Sequence, residues 1–75
     1  MRRVGTVVRA VQGLAVARSP DDTHPPIGVT VVDESLEPVG RVVDVIGPTS
    51  RPYVVVTPTR DASPVALLDA KLYVR

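Results

Sequence analysis

With 75 residues, the chain makes one small domain spanning 1–75, and such a domain buries only about 60% of its unfolded surface, so it depends on close packing or a partner. Nine basic and eight acidic side chains nearly cancel without forming a block of either sign, which disfavours nucleic-acid binding along a positive stripe; Tyr53 and Tyr73 are the only aromatics, too few for a base-stacking platform. The absence of cysteine excludes disulfides, thiolate metal sites and cysteine nucleophiles.

Seventeen valines favour pleated sheet, and eight prolines with five glycines interrupt the chain too often for long helices. Arg2-Arg3 resembles the charged start of a secretory signal, but Arg9 breaks the apolar run that follows. No apolar run approaches the ~20 residues that span a bilayer, so the expectation is a cytoplasmic protein with no membrane contact. A first strand is predicted over Val4–Val11, with Val4, Thr6, Val8 and Ala10 on one face and Gly5, Val7, Arg9 and Val11 on the other. Gln12-Gly13 makes a turn into a second strand, Leu14–Arg18, which sets Leu14 and Val16 opposite a flat face of Ala15 and Ala17. Ser19–Pro26 is a loop of turn formers. Val29–Asp33 is a third strand, and Glu34–Pro38 turns into a fourth, Val39–Ile46.

That fourth strand breaks simple alternation. Val42 and Ile46 share a face with Asp44, and Val43 and Val45 share one with Arg41, so both faces are mostly apolar. A β-bulge that resets the register accounts for this, as does packing under residues 58–70 or a partner's surface covering the second face. A fifth strand runs from Tyr53 to Thr57. Pro58–Pro64 reads as a polar, mobile stretch, Val65–Ala70 as one helical turn or irregular chain, and Leu72–Val74 as a sixth strand. Six short strands with turns every eight to twelve residues predict an all-β fold, either a closed barrel or a small sandwich. Closure is the better protection for edges so rich in valine.

The most informative stretch joins strands four and five: Asp44-Val45-Ile46-Gly47-Pro48-Thr49-Ser50-Arg51-Pro52-Tyr53. Gly47 permits a backbone angle or close approach that a side chain forbids. Pro48 and Pro52 fix their own φ angles and bias Gly47 and Arg51 towards extended conformations. A loop clamped in this way loses little entropy on docking.

Asp-Val-Ile-Gly-Pro followed by Arg-Pro-Tyr-Val resembles the signature of the archaeal glycine-arginine-rich-type family, the small β-barrel subunit of box H/ACA ribonucleoproteins, which use guide RNAs to make pseudouridine. Gly5-Thr6-Val7, Ile27-Gly28 leading to Val32-Asp33-Glu34, Val39-Gly40-Arg41-Val42 and Lys71-Leu72-Tyr73-Val74 extend the resemblance over most of the chain. Thr49 departs from the pattern, which has an apolar residue there, and no Arg-Gly-Gly repeat occurs, as in the archaeal short form. The resemblance implies a closed six-stranded antiparallel β-barrel similar to the second domains of translation elongation factors. It also implies a non-catalytic subunit that docks on the pseudouridine synthase of the complex. There it would assist substrate placement and product release in rRNA modification, touching guide RNA only indirectly. Val45, Ile46, Gly47, Pro48, Pro52 and Tyr53 are the partner-binding residues carried over.

Catalysis needs a nucleophile or base held by an orienting group, and the sequence shows no such set. His24, the only histidine, lies in a loop beside Asp21-Asp22. Asp21-Asp22 and Asp33-Glu34 read as solvated turn residues, and Asp44 as an ion-pair partner of Arg41 or Arg51. No enzyme, cofactor, metal or small-molecule substrate is expected. The alternative function is an RNA-binding or ribosome-maturation barrel, distinguished by salt-sensitive binding to free RNA.

Overall fold

Valine-rich runs separated by turn residues pair partly with their neighbours in sequence and partly with distant strands, and here they wrap into a closed barrel. The computed structural model describes residues 2–59 and 62–75. Its six strands are β1 (Arg2–Val11), β2 (Leu14–Arg18), β3 (Thr30–Val32), β4 (Pro38–Ile46), β5 (Tyr53–Pro58) and β6 (Lys71–Val74). They follow one another around the barrel as β1-β2-β5-β4-β3-β6, every neighbouring pair antiparallel. The expected all-β, closed six-stranded antiparallel barrel is the fold, with no helix among the described residues. Strand ends differ from the sequence reading by one or two residues, the usual latitude of fraying ends.

The tightest connection is the β1–β2 hairpin. Gln12 (φ 51°) and Gly13 (φ 80°) both take positive φ between the paired Val11 and Leu14. This is the two-residue turn whose twist matches a right-twisted hairpin.

The two long strands bend through bulges. On β1 the register shifts between Arg3 and Gly5 against β6, and between Val7 and Arg9 against β2; on β4 it shifts between Val42 and Asp44 against β5. Each extra residue reverses the in–out order beyond it. The expected faces of β1 are therefore corrected: Val4 and Val7 both lie in the core, while Val8, placed with Val4 by alternation, is exposed. On β4 the bulge at Val43 explains the two apolar faces. Val42 is buried and Val45 packs partly against the core, while Val43 and Ile46 remain on the surface.

The core is small and aliphatic. Val4, Val7, Val31, Val42, Val54, Val56 and Leu72 are almost fully buried, and β2 contributes Ala15 and Ala17. Gly5 allows β1 to cross the end of β2, because a Cβ there would overlap the Arg18 carbonyl.

Residues beyond β5 are anchored on both sides of Arg60 and Asp61, which lie outside the described residues. The Thr59 N–H donates to the Val39 carbonyl (2.9 Å) and Ala62 N–H to Thr59 (3.0 Å). Residues 64–69 form successive turns instead of a helix, and Leu67 from this segment is buried against the core. Val7 N–H donates to the Ala70 carbonyl and Asp69 N–H to the Val7 carbonyl, both at 2.9 Å. The segment fills in beside β1 where a sixth strand of only four residues leaves β1 uncovered.

Candidate docking surface

Cross-strand register places the chemistry of the outer wall. Because Ala15, Ala17, Val54 and Val56 point inward, their neighbours in sequence point out. Arg18, Tyr53 and Ile46 pair in one outward row across β2, β5 and β4. Arg9, Val16, Val55 and Asp44 form the next row, and Val11 with Leu14 closes the hairpin end. Together with the bulged Val8, and with Asp44 left outside, these side chains line a shallow apolar groove with Arg9 and Arg18 on its rim. Val8 is 50% exposed, Val11 40% and Ile46 48%, which is costly for branched aliphatic side chains left in water.

One end of this groove runs into the signature loop. Gly47 has φ 88°, and an added Cβ would come within 2.8 Å of Tyr53 Cδ2, so the glycine provides both the turn and the space under the ring. The Arg18 guanidinium lies over the Tyr53 ring, 5.6 Å from its centroid. Tyr53 thus touches both loop and rim and remains half-buried.

Ser19 ties the loop to the next segment. The Ser19 N–H donates to the Pro52 carbonyl at 2.9 Å, and Arg51 Nε donates to the Ser19 carbonyl at 3.3 Å. The Ser19 hydroxyl, fully buried, lies 2.7 Å from the Thr23 carbonyl and 2.9 Å from that of Asp21. This buried hydroxyl therefore holds the 19–23 turn, and its backbone holds the loop's exit.

The six residues carried over from the sequence do not all face outward. Ile46, Gly47 and Pro48 are exposed and contiguous, and Tyr53 is half-buried beside them. Val45 points inward and Pro52 is buried, so these two shape the loop from below. Thr49 is exposed at the tip. Val8, Leu14, Val16, Val55 and the two rim arginines extend the surface beyond the carried-over set.

Of the acidic residues, Asp44 accepts from the Val45 N–H at 2.8 Å, and not from Arg41 or Arg51 as expected; Arg51 is turned instead to the Ser19 carbonyl. Asp33 accepts from the N–H groups of Ser35 (2.8 Å) and Glu37 (3.1 Å), fixing the β3–β4 turn. Asp21 accepts from the Thr23 hydroxyl (2.6 Å) and N–H (2.9 Å), which hold its carboxyl below the ordinary range. The Nδ1 of His24 is 3.1 Å from the Pro25 carbonyl. Among the described residues no three His, Asp or Glu side chains gather as a metal cage, and no helix is long and apolar enough to cross a membrane. A crevice of about 40 Å³ between Arg2, Arg3 and the Thr23–Pro26 loop has room for little beyond a water molecule.

Fold and surface together define a small β-barrel with an apolar outer groove continuous with a stiff proline-bounded loop. No protein-family model matches the chain, and no curated protein matches it.

Proposed function

We propose that this protein is a non-catalytic subunit of an H/ACA guide-RNA pseudouridylation complex. It docks on the pseudouridine synthase through the Ile46–Tyr53 loop and the groove beside it. Bound there, it assists substrate placement and product release during rRNA modification in the cytoplasm, and guide RNA is touched only indirectly. Two things support this reading. One is the order and spacing of the motifs, centred on Asp44–Pro48 and Arg51–Val54, that resemble the H/ACA barrel subunit. The other, which carries the docking role, is Tyr53: a half-buried aromatic, beside Gly47 and under the Arg18 guanidinium at the junction of loop and apolar groove. A preset aromatic beside exposed aliphatics has the character of a binding hot spot. Nearly balanced charge and the lack of a stacking platform favour a protein over RNA as the direct partner.

Co-purification of the tagged protein from its own cells tests this. The expected companions are the pseudouridine synthase and its H/ACA partners, retained after ribonuclease treatment. Recovery of RNA without the synthase, lost as salt is raised, would contradict it and favour an RNA-binding or ribosome-maturation barrel.

A further inference from the structure

The groove's charges are arranged asymmetrically, and this says more about what fills it. Its lining has two arginines and no carboxylate among the described residues. Both arginines stand on the β1–β2 side: Arg9 pairs with Val16, and Arg18 lies two residues further along β2 on the same face. Such diagonal neighbours are separated by about 7–8 Å. On the β4 side the nearest charge is Asp44, already bonded to the Val45 N–H. Arg18 is also preset. Its guanidinium rests over Tyr53, which orders the side chain and leaves its N–H edge available to a planar two-oxygen acceptor.

Resting on the docking reading above, we infer that the groove takes an apolar polypeptide segment bearing two carboxylates about 7 Å apart on one flank. That spacing matches residues i and i+2 of an extended segment. The aliphatic side chains fill the floor formed by Val16 and Val55. One carboxylate meets Arg9 and the other meets the fork of Arg18. The acidic flank fixes which way round the segment lies, because reversing it would set carboxylates against Asp44. An RNA strand offers phosphates for the arginines but leaves the valine and isoleucine floor uncovered by matching apolar surface, so a polypeptide suits the groove better.

Titration of the purified synthase, free of RNA, with the full-length protein and its variants tests the assignment. The double variant Arg9→Glu/Arg18→Glu is expected to bind about tenfold more weakly than the parent at low salt, and the difference should shrink as salt rises. Arg9→Glu alone, which leaves the Tyr53 stack intact, should retain a measurable part of that loss. Arg41→Glu, which lines a separate hollow with Thr30 and Pro38 and not the groove, should bind like the parent. Thermal melts establish that each variant is folded. If folded Arg9→Glu and the double variant bind like the parent while Val16→Asp abolishes binding, the groove docks the synthase but the acidic-flank assignment is overturned. If the charge reversals leave synthase binding unchanged and weaken only retention of guide RNA, the arginines serve phosphates and the assignment is again overturned. If the parent itself fails to bind, the docking reading fails and this inference with it.

Discussion

Single side chains decide how stiff the loop is. Ser19 is polar and fully buried, and its hydroxyl is accommodated by the carbonyls of Asp21 and Thr23. Ser19→Ala leaves those carbonyls without their donor and should cost about 1–3 kcal/mol. In a domain of this size each kcal/mol lowers the melting midpoint by roughly 4–8 °C, so a thermal melt reads the loss; an unchanged midpoint would show that water replaces the hydroxyl at no cost. Asp21 gives a pH signature. Its carboxyl is held below the ordinary value of 3.8, first by the Thr23 hydroxyl and then by the Thr23 N–H. Because the folded value is the lower one, the stability these bonds contribute is present above the ordinary carboxylate pKa. It is lost as pH falls through the folded value. An NMR titration should find Asp21 ionising below its ordinary value, and Thr23→Val should move it back upward; equal titration in both proteins would remove the hydroxyl's role.

Elements show where sequence informs and where it does not. Strand positions were legible because valine runs end at Gly, Pro, Asp and Ser, and Gln12-Gly13 occupies the tight turn it predicts. The bulges on β1 were not legible. An inserted residue changes no composition, and Val4 and Val8 look equivalent until pairing with β6 and β2 shows a residue to spare on each side of Val7. On β4 the bulge left a trace, since both faces read as apolar. Half of the candidate surface, that along the loop, could be read from the sequence for a related reason. Ile46, Gly47, Pro48 and Tyr53 are neighbours along the chain, whereas Val16 and Val55 meet only through β2–β5 pairing, between strands far apart in sequence. Leu14 and Val16 were separable from Ala15 and Ala17 by alternation, but which face filled the barrel required the packing itself. Gly47 is the element's most sensitive point. With φ 88° and Tyr53 Cδ2 2.8 Å from where a Cβ would sit, Gly47→Ala should cost about 1–3 kcal/mol and displace the ring. Chemical denaturation measures the first effect and a shift in the Tyr53 ring resonances the second; a variant as stable as the parent with an unmoved ring would contradict this close approach.

At the scale of the whole molecule, the barrel solves its edge problem by closure, yet leaves one wall apolar. Among the described residues the hydrophobic core is aliphatic, the largest of its side chains leucines, so Leu72→Ala should destabilise by about 2–5 kcal/mol, enough to unfold so small a domain at physiological temperature. Partner binding offsets such losses by mass action, so the proposed synthase partner should raise the melting midpoint of the parent. The most direct measurement of the central claim is the affinity of the purified synthase for the parent, Tyr53→Ala and Pro48→Gly, each shown to be folded by its melt. Tyr53→Ala should weaken binding by roughly 1–3 kcal/mol through loss of a buried anchor. Pro48→Gly should weaken it less, by loosening the loop before it docks. Binding of both folded variants at parental affinity would contradict the account and move the partner-facing surface off this loop.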